Sequence, residues 1–226
     1  MTVTETSQAS RYTTIDGEHR HELEVRRSRF ITVLRRAETE DAARALVAGL
    51  RREFHDARHH CSAFVLGPDR TTQRSSDDGE PAGTAGIPML EALLRRETHD
   101  GAADLSDITA VVVRYFGGIL LGAGGLVRAY SDSVSSALDT AKLVRRQRLR
   151  VFGIDADHAH AGRLENELRA SGTEVLGTQY GARTATLRVA VEDTDAAVAD
   201  FSQRLAGLTS GRGAAVGLGT AWVDLS

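Results

Sequence analysis

The chain has 226 residues, and its 28 basic and 31 acidic side chains give a formal net charge of −3 with histidine neutral. This balance argues against a strongly basic nucleic-acid-binding protein, although it does not exclude a local basic patch. A hydrophobic share of 41% and a charged share of 26% exclude global disorder. The single cysteine, Cys61, excludes an intramolecular disulfide framework and a multi-cysteine zinc site.

The first part of the chain alternates between strand and helix patterns. Extended segments are predicted at Tyr12–Ile15 and Glu22–Leu34, with a turn near Asp16-Gly17 before the second. A helix is predicted to begin after Thr39, because threonine is a favourable N-cap and two acidic residues follow it in the first turn. The elements predicted next are a strand at Cys61–Leu66, a polar loop at Gly67–Gly86, a helix around Met89–Leu94, a strand at Ile108–Val113 and a helix over Val127–Ala141.

The segment Ile108–Val127 is apolar and about as long as a bilayer span. Because it contains Arg114 and five glycines, it indicates a buried strand followed by a glycine-rich loop. We therefore expect no membrane association. The residues Met1–Arg11 are polar and lack the apolar region of a signal peptide, so a cytoplasmic protein is expected.

The charged segment Lys142–Arg150 is predicted to be a linker, and the elements after it follow the order βαββαβ. These elements are Leu149–Ile154, Ala159–Ala170, Thr173–Tyr180, Thr184–Val191, Asp195–Leu205 and Ala214–Val223. This order is that of the ferredoxin-like unit. The chain is therefore predicted to be an α+β protein with two α/β-sandwich domains, at residues 12–143 and 147–226.

The first candidate site is the segment SSDDGEPAGTAG, which carries three carboxylates in four positions at Asp77, Asp78 and Glu80. One interpretation is a weak candidate site for a hard cation such as Mg²⁺, or a loop that positions a ligand at the N-terminus of a helix capped by Thr84 and containing Gly86. The alternative is an ordered turn whose carboxylates accept hydrogen bonds from backbone amides.

The second candidate site is the glycine-rich segment RYFGGILLGAGGL. Glycines let backbone N–H groups converge on an anion at a helix N-terminus, and Arg114 and Arg128 would add positive charge. The glycines concerned are Gly117, Gly118, Gly122, Gly124 and Gly125. Close packing of the loop is an equally good explanation of the glycines. We also predict that the two glycine-rich motifs meet in one polar cleft.

Further residues are predicted to belong to such a polar cleft, namely His59, Tyr115 and Tyr130. On a strand, His59 and Cys61 would share one face and His60 the other. A zinc site here would need two further ligands from elsewhere, so a buried and inert Cys61 is the preferred interpretation.

The chain resembles the bacterial YigZ-type members of the IMPACT family. The resemblance rests on SRF at Ser28–Phe30, HHCSAF at His59–Phe64, SDDGEPAGTAGIPML at Ser76–Leu90 and VVVRYFGGILLGAGGLVRAYSDSV at Val111–Val134. His60 stands where the family carries Asn. The resemblance implies an N-terminal domain similar to domain IV of elongation factor G and a C-terminal domain similar to its domain V, and both of those domains contact RNA on the ribosome.

The leading hypothesis is a non-enzymatic, translation-associated protein that binds RNA or a ribosomal partner through its N-terminal domain. Eukaryotic members of the family restrain a translation kinase, which implies a role in the regulation of translation. The alternative is an enzyme that binds a nucleotide or phosphometabolite at Gly122–Gly125 with Mg²⁺ held by the nearby carboxylates. A module for protein–protein interaction is a third hypothesis. No residue is predicted to be catalytic, and no cofactor is predicted, with Mg²⁺ as the one weak candidate.

Overall fold

The computed structural model describes residues 9–225, apart from the side chain of Asp100. The chain divides into two compact units. The first contains the described residues up to Arg146 together with Leu225, and the second spans Gln147–Asp224. Each unit has its own hydrophobic core.

The first unit is built on a five-stranded antiparallel sheet in the order β2-β3-β6-β4-β5. Its elements are β1 (Arg11–Ile15), β2 (Glu18–Val25), β3 (Ser28–Arg36), α1 (Glu40–Glu53), β4 (His59–Leu66), β5 (Thr72–Ser76), α2 (Gly86–Arg95), a short 3-10 turn (His99–Gly101), β6 (Ile108–Tyr115), α3 (Gly122–Thr140) and the start of β7 (Leu143–Asp157). The central strand β6 is the apolar, β-branched run, and it is buried over seven of its eight residues.

Helices cover both faces of this sheet. The helix α1 packs Leu46 and Leu50 against Val33 and Val111 on one face. The helices α2 and α3 pack together on the other face, over the larger core. As predicted, the Thr39 side chain caps α1 by accepting a hydrogen bond from the amide of Ala42. The strand β1 is anchored by Tyr12, whose hydroxyl donates to Asp107 and accepts from Arg146 Nη1 at 2.6 Å.

The second unit has the ferredoxin-like order of elements. Its strands lie in the order β8-β9-β7-β10, and α4 and α5 pack over the core that includes Ile154, Leu187 and Phe201. Its elements after β7 are α4 (His158–Ala170), β8 (Glu174–Tyr180), β9 (Thr184–Glu192), α5 (Asp195–Leu208) and β10 (Ala215–Leu225). The α+β prediction is therefore confirmed, and the structure shows that the sheets are antiparallel.

Three local predictions are wrong. The segment Glu22–Leu34 is not one extended run, because Arg26 and Arg27 adopt positive φ values of 48° and 64° and form the two-residue turn between β2 and β3. The predicted loop Gly67–Gly86 contains the edge strand β5. The predicted linker Lys142–Arg150 is strand from Leu143 onward, as part of β7.

The structure also bears on the apolar segment at Ile108–Val127. This segment is divided between β6 and the start of α3. Among residues 9–225, none of the helices combines the length and the apolar composition that a membrane-spanning helix needs.

Candidate functional site

The register of the first sheet aligns three side chains across β3, β6 and β4. Arg114 of β6 is paired with Phe30 of β3 on one side and with His59 of β4 on the other. Because residues paired across antiparallel strands point to the same face, all three lie on the face that α2 and α3 cover. The β2–β3 turn and the loop after Tyr115 lie at this same end of the sheet.

A cleft of about 390 Å³ opens at this end of the sheet. It contains residues of both glycine-rich motifs, which therefore meet as predicted. Its lining consists of Arg58, His59, Glu80, Pro81, Arg114, Phe116, Leu120, Leu121, Gly122, Ala123 and Leu126. The cleft thus combines cationic groups and backbone amides with an apolar wall.

A buried network supports the floor of the cleft. Arg114 Nη1 donates to Glu80 Oε1 at 2.5 Å, and the Tyr130 hydroxyl donates to the same oxygen at 2.8 Å. The Cys61 Sγ atom lies 3.3 Å from the Tyr130 hydroxyl and 3.0 Å from the carbonyl oxygen of Asp77. The side chains of Arg114 and Glu80 are only 8% and 4% exposed, so this ion pair is shielded from solvent.

Arg114 is also held by aromatic rings and keeps one donor unpaired. Its guanidinium carbon lies 5.5 Å from the ring centroid of Phe30 and 5.8 Å from that of Phe116. Its Nε atom is buried and has no hydrogen-bond partner among the described residues. A buried N–H without a partner is costly, and this one belongs to a residue that lines the cleft.

The carboxylate of Asp77 caps α2. Its Oδ1 accepts from the amides of Ala85 and Gly86 at 3.0 and 2.7 Å, and its Oδ2 accepts from Gly83 at 2.7 Å. Burial favours the neutral form, but these three amide hydrogen bonds hold the pKa of Asp77 below its ordinary value. Thr84 does not cap the helix, because its hydroxyl donates to the carbonyl of Pro81 instead.

The carboxylate of Asp78 joins the start of β4 to α1. Its Oδ2 accepts from the His60 amide at 2.6 Å, and its Oδ1 accepts from Arg51 at 2.5 Å. The backbone carbonyl of Asp78 lies 2.9 Å from His59 Nδ1. Asp78 itself has φ of 44°, a conformation that an aspartate tolerates better than most residues.

These contacts favour the second interpretation of the acidic motif, that of an ordered turn. All three carboxylates, Asp77, Asp78 and Glu80, accept hydrogen bonds from donors within the protein. A Mg²⁺ ion at this motif would compete with those donors for the carboxylate oxygens. Among the described residues, no group of three or more His, Cys, Asp or Glu side chains is arranged to hold a metal ion. The motif is thus an ordered turn that positions α2 and Arg114.

The N-terminus of α3 faces the cleft without a compensating side chain. Gly122 begins the helix with φ of 70°, and no side chain caps it. The first turn carries no acidic residue, and a Cβ atom at Gly124 would meet nothing within 4 Å. The positive end of this helix is therefore open to an anion. Gly118 also has a positive φ, of 85°, in the loop before α3.

Gly117 has a packing role instead. A Cβ atom at this position would overlap the carbonyl group of Arg27 and lie 2.5 Å from the amide nitrogen of Ser28. The Gly117 amide donates to the buried Ser28 hydroxyl at 3.2 Å. This glycine lets the loop after β6 lie directly against the β2–β3 turn, which brings Arg26 and Arg27 to the end of the sheet that carries the cleft.

The cleft lining contains four of the fifteen predicted site residues, namely His59, Glu80, Arg114 and Gly122, and the other eleven lie outside it. Tyr115, Arg128 and Tyr130 are among these eleven. Tyr115 is on the opposite face of β6 from Arg114, and its hydroxyl donates to Asp56 at 2.7 Å. Arg128 is exposed on the second turn of α3. Tyr130 is fully buried beneath Glu80.

Sequence reasoning missed four features of the site. They are Arg58, the basic turn Arg26-Arg27, and the exposed side chains of Phe116 and Leu120. The available signal was the run of large apolar residues interleaved with glycines after β6, because such residues are hard to bury all at once in a short loop.

Cys61 and His60 face opposite sides of β4, as the strand period predicts. Burial raises the pKa of the Cys61 thiol to about 12, so the thiol stays protonated near neutral pH and is a poor nucleophile. Burial lowers the pKa of His60, in opposition to the nearby Asp78 carboxylate and with a small contribution from Arg51.

Replacing His60 with asparagine is expected to flatten the acid side of the pH–stability curve. The folded-state pKa of His60 lies below its unfolded value, so the unfolded chain takes up the proton first as the pH falls below about 6.5. The free energy of unfolding of the wild type therefore drops in that range, and His60→Asn removes this contribution. The measurement is urea denaturation from about pH 5 to about pH 7.5. His55→Asn is the control, because His55 is exposed. If the His55→Asn curve flattened equally, the effect would not come from the burial of His60.

Comparisons with known proteins agree with this architecture. The Impact N-terminal domain model matches residues 26–138, and a domain of unknown function (DUF1949) matches residues 154–212. The chain is 43% identical over 190 residues to the IMPACT family member YigZ of Escherichia coli strain K12, which covers 83% of this chain and 88% of that protein. It is 40% identical over 201 residues to the IMPACT family member YvyE of Bacillus subtilis strain 168, covering 89% and 88% of the two chains.

A solved structure has the same fold. It is the crystal structure of a hypothetical protein that is 38% identical in sequence, and the match covers 92% of this chain and 97% of the other with a TM-score of 0.60. The likeness therefore spans both units.

Proposed function

This chain belongs to the IMPACT family, and from that premise we propose that it is a translation-associated protein that binds RNA through the cleft of its first unit. The family supports a role related to the regulation of translation, and the cleft supplies the chemistry of binding. The proposal assigns phosphate contacts to the open N-terminus of α3 and to the arginines around it.

The observation that carries the proposal is the uncapped positive end of α3 at the cleft, next to the guanidinium of Arg114, which also lines the cleft. An anion is the ligand that satisfies both groups at once, because it accepts hydrogen bonds and is attracted by the helix dipole. Phosphate suits an arginine better than other common anions do, because the guanidinium donates in a planar fork.

The surroundings of the cleft favour a polyanion over a single phosphate. Arg58 lines the cleft, and Arg26 and Arg27 project from the turn against which Gly117 packs. All three side chains are exposed, and none of them forms a hydrogen bond or ion pair with another residue in the described part of the chain. The chain as a whole carries a net charge of −3, but this local cluster of arginines suits a nucleic-acid backbone.

The same geometry favours binding without catalysis. The only thiol, Cys61, is buried and protonated, and the three carboxylates of the acidic motif are engaged by internal donors. An enzyme that transfers phosphoryl groups needs Mg²⁺ ligands or a base at the phosphate. The proposal therefore assigns no catalytic residue and no cofactor.

The test is a titration of a short unstructured RNA with wild type and Arg58→Ala at about 50 and about 200 mM salt. Arg58 is exposed, so its loss should weaken binding by about two- to fivefold at the lower salt concentration. The slope of log affinity against log salt should become shallower by about 0.7, as expected for one lost phosphate contact with a single strand. Wild type that binds no RNA at the lower salt concentration would refute the proposal.

Arg95→Ala is the matched control. Arg95 is exposed at the opposite end of α2 from Glu80, and its removal changes the net charge equally. Arg95→Ala should leave the affinity for RNA nearly unchanged. If it weakened binding as much as Arg58→Ala does, the effect of Arg58 would be one of net charge alone. Arg128→Ala is a third variant for the same titration, because Arg128 is proposed to extend the phosphate contacts along α3.

A further inference from the structure

We propose, on the premise that the protein binds RNA, that the cleft takes one unpaired nucleotide, whose base stacks on Phe116 and whose phosphate contacts the N-terminus of α3. The ligand is thus a single-stranded or looped segment of RNA, and not the backbone of a duplex. The inference rests on the apolar wall of the cleft, which phosphate binding leaves unexplained.

The apolar wall of the cleft consists of large side chains that are exposed to solvent. Phe116 is 53% exposed and Leu120 is 81% exposed, and both line the cleft beside Arg58 and Arg114. A ligand made only of sugar and phosphate would leave these two side chains in water. A nucleobase has an apolar face attached through a sugar to a phosphate, so it fits a cleft in which an apolar wall adjoins cationic donors.

The ring of Phe116 is already positioned for stacking. The Arg114 guanidinium lies 5.8 Å from its centroid, and Arg114 is fixed in turn by Glu80 and by the ring of Phe30. Because Arg114 is held on several sides, the ring beside it has a rigid support. About half of the Phe116 surface is left open, which is the surface that a base would cover.

The size of the cleft limits the ligand to one base. A volume of about 390 Å³ is near the lower end of the range of about 300–1,000 Å³ that is typical of small-ligand sites. Neighbouring nucleotides would follow the surface outside the cleft, where Arg26 and Arg27 lie exposed on the β2–β3 turn.

The single-stranded form follows from the chemistry of stacking. In an A-form duplex the bases are stacked on one another and their faces are not available to a protein side chain. An unpaired base in a loop, bulge or end offers its face to an aromatic ring at little cost. The cleft therefore discriminates between the two forms of RNA through Phe116, while its arginines contact the phosphates of both.

The test compares one RNA strand with the duplex that it forms with its complement, at low salt. Wild type is expected to bind the single strand about tenfold or more tightly than the duplex. Phe116→Ala should lower the affinity for the single strand by about that factor and leave the affinity for the duplex unchanged, and Phe116→Trp should retain the preference. Thermal unfolding of each variant verifies that the exposed side chain was removed without loss of the fold.

Ile87→Ala is the matched control, because Ile87 is also apolar and 53% exposed but is outside the cleft lining. An equal loss of affinity in Ile87→Ala and Phe116→Ala would overturn the base site. Equal affinity of wild type for the two forms of RNA would also overturn it, while leaving RNA binding itself intact. Binding to neither form would overturn the proposed function and this inference together.

Discussion

Glu80→Gln is expected to lower the free energy of unfolding by about 3–5 kcal/mol, which is the usual loss when one partner of a buried ion pair is removed. Glu80 Oε1 accepts from both Arg114 and Tyr130, and the side chains of Arg114 and Glu80 are both more than nine-tenths buried. Glutamine keeps the size of the side chain and removes its charge. The guanidinium of Arg114 would then remain in the protein interior without a counterion.

The measurement is urea denaturation at neutral pH, with the slope of free energy against urea unchanged if only stability is affected. Glu97→Gln is the control, because Glu97 is exposed and its side chain forms no hydrogen bond or ion pair within residues 9–225. The double variant Glu80→Leu, Arg114→Met should recover much of the loss, since an apolar pair of similar volume can replace a buried ion pair. A loss below about 1 kcal/mol, the range of exposed pairs, would mean that Arg114 reaches solvent in the native state.

The buried ion pair has a role that stability alone does not explain. A buried pair is weak evidence for stability, because the desolvation of both charges offsets their attraction. Here Glu80 fixes the position of Arg114, so that its guanidinium stays at the cleft and in contact with Phe116. The acidic motif therefore contributes to the site by positioning the Arg114 cation.

Local signals were enough to predict most of the fold. The helix α1 follows from the Thr39 cap and its apolar spacing, and β6 from its continuous β-branched run. The ferredoxin-like unit follows from the order of its elements. These features depend on residues that are close in sequence, so periodicity and capping preferences are sufficient to find them.

The elements that were missed depend on tertiary context. The turn at Arg26-Arg27 requires positive φ at two residues that rarely adopt it, because such two-residue turns usually carry asparagine and glycine. The strand β5 is polar because it forms an exposed edge of the sheet. Arg148 and Arg150 resemble a solvated linker in sequence, but both pair with Asp193 beside β7.

The site could be predicted in its location but not in its contacts. Both glycine-rich motifs precede helices, which is why their meeting in one cleft could be predicted. The partners of Glu80 are 34 and 50 residues away, and no local pattern specifies such pairs. The exposure of Phe116 was equally hidden, because the same apolar residue could have been part of a core.

The close contact between Gly117 and the β2–β3 turn leads to the last prediction. Gly117→Ala is expected to lower the free energy of unfolding of the first unit by about 1–3 kcal/mol or more, since 1–3 kcal/mol is the usual cost of overpacking. The added methyl group would overlap the carbonyl of Arg27 and approach the amide of Ser28, which are backbone atoms and cannot rotate away. The turn must shift as a whole, so RNA affinity should fall as well if Arg26 and Arg27 contact phosphate.

Gly124→Ala is the matched control for this substitution, since it adds the same methyl group in the first turn of α3. Nothing lies within 4 Å of the added atom, and φ at Gly124 is not positive. Alanine is a better helix former than glycine, so this variant should be as stable as the wild type or more stable by up to about 0.5–1 kcal/mol. Urea denaturation of both variants gives the comparison. If Gly117→Ala were as stable as Gly124→Ala, the loop after β6 would have to be free to move away from the turn, and Gly117 would lose its packing role.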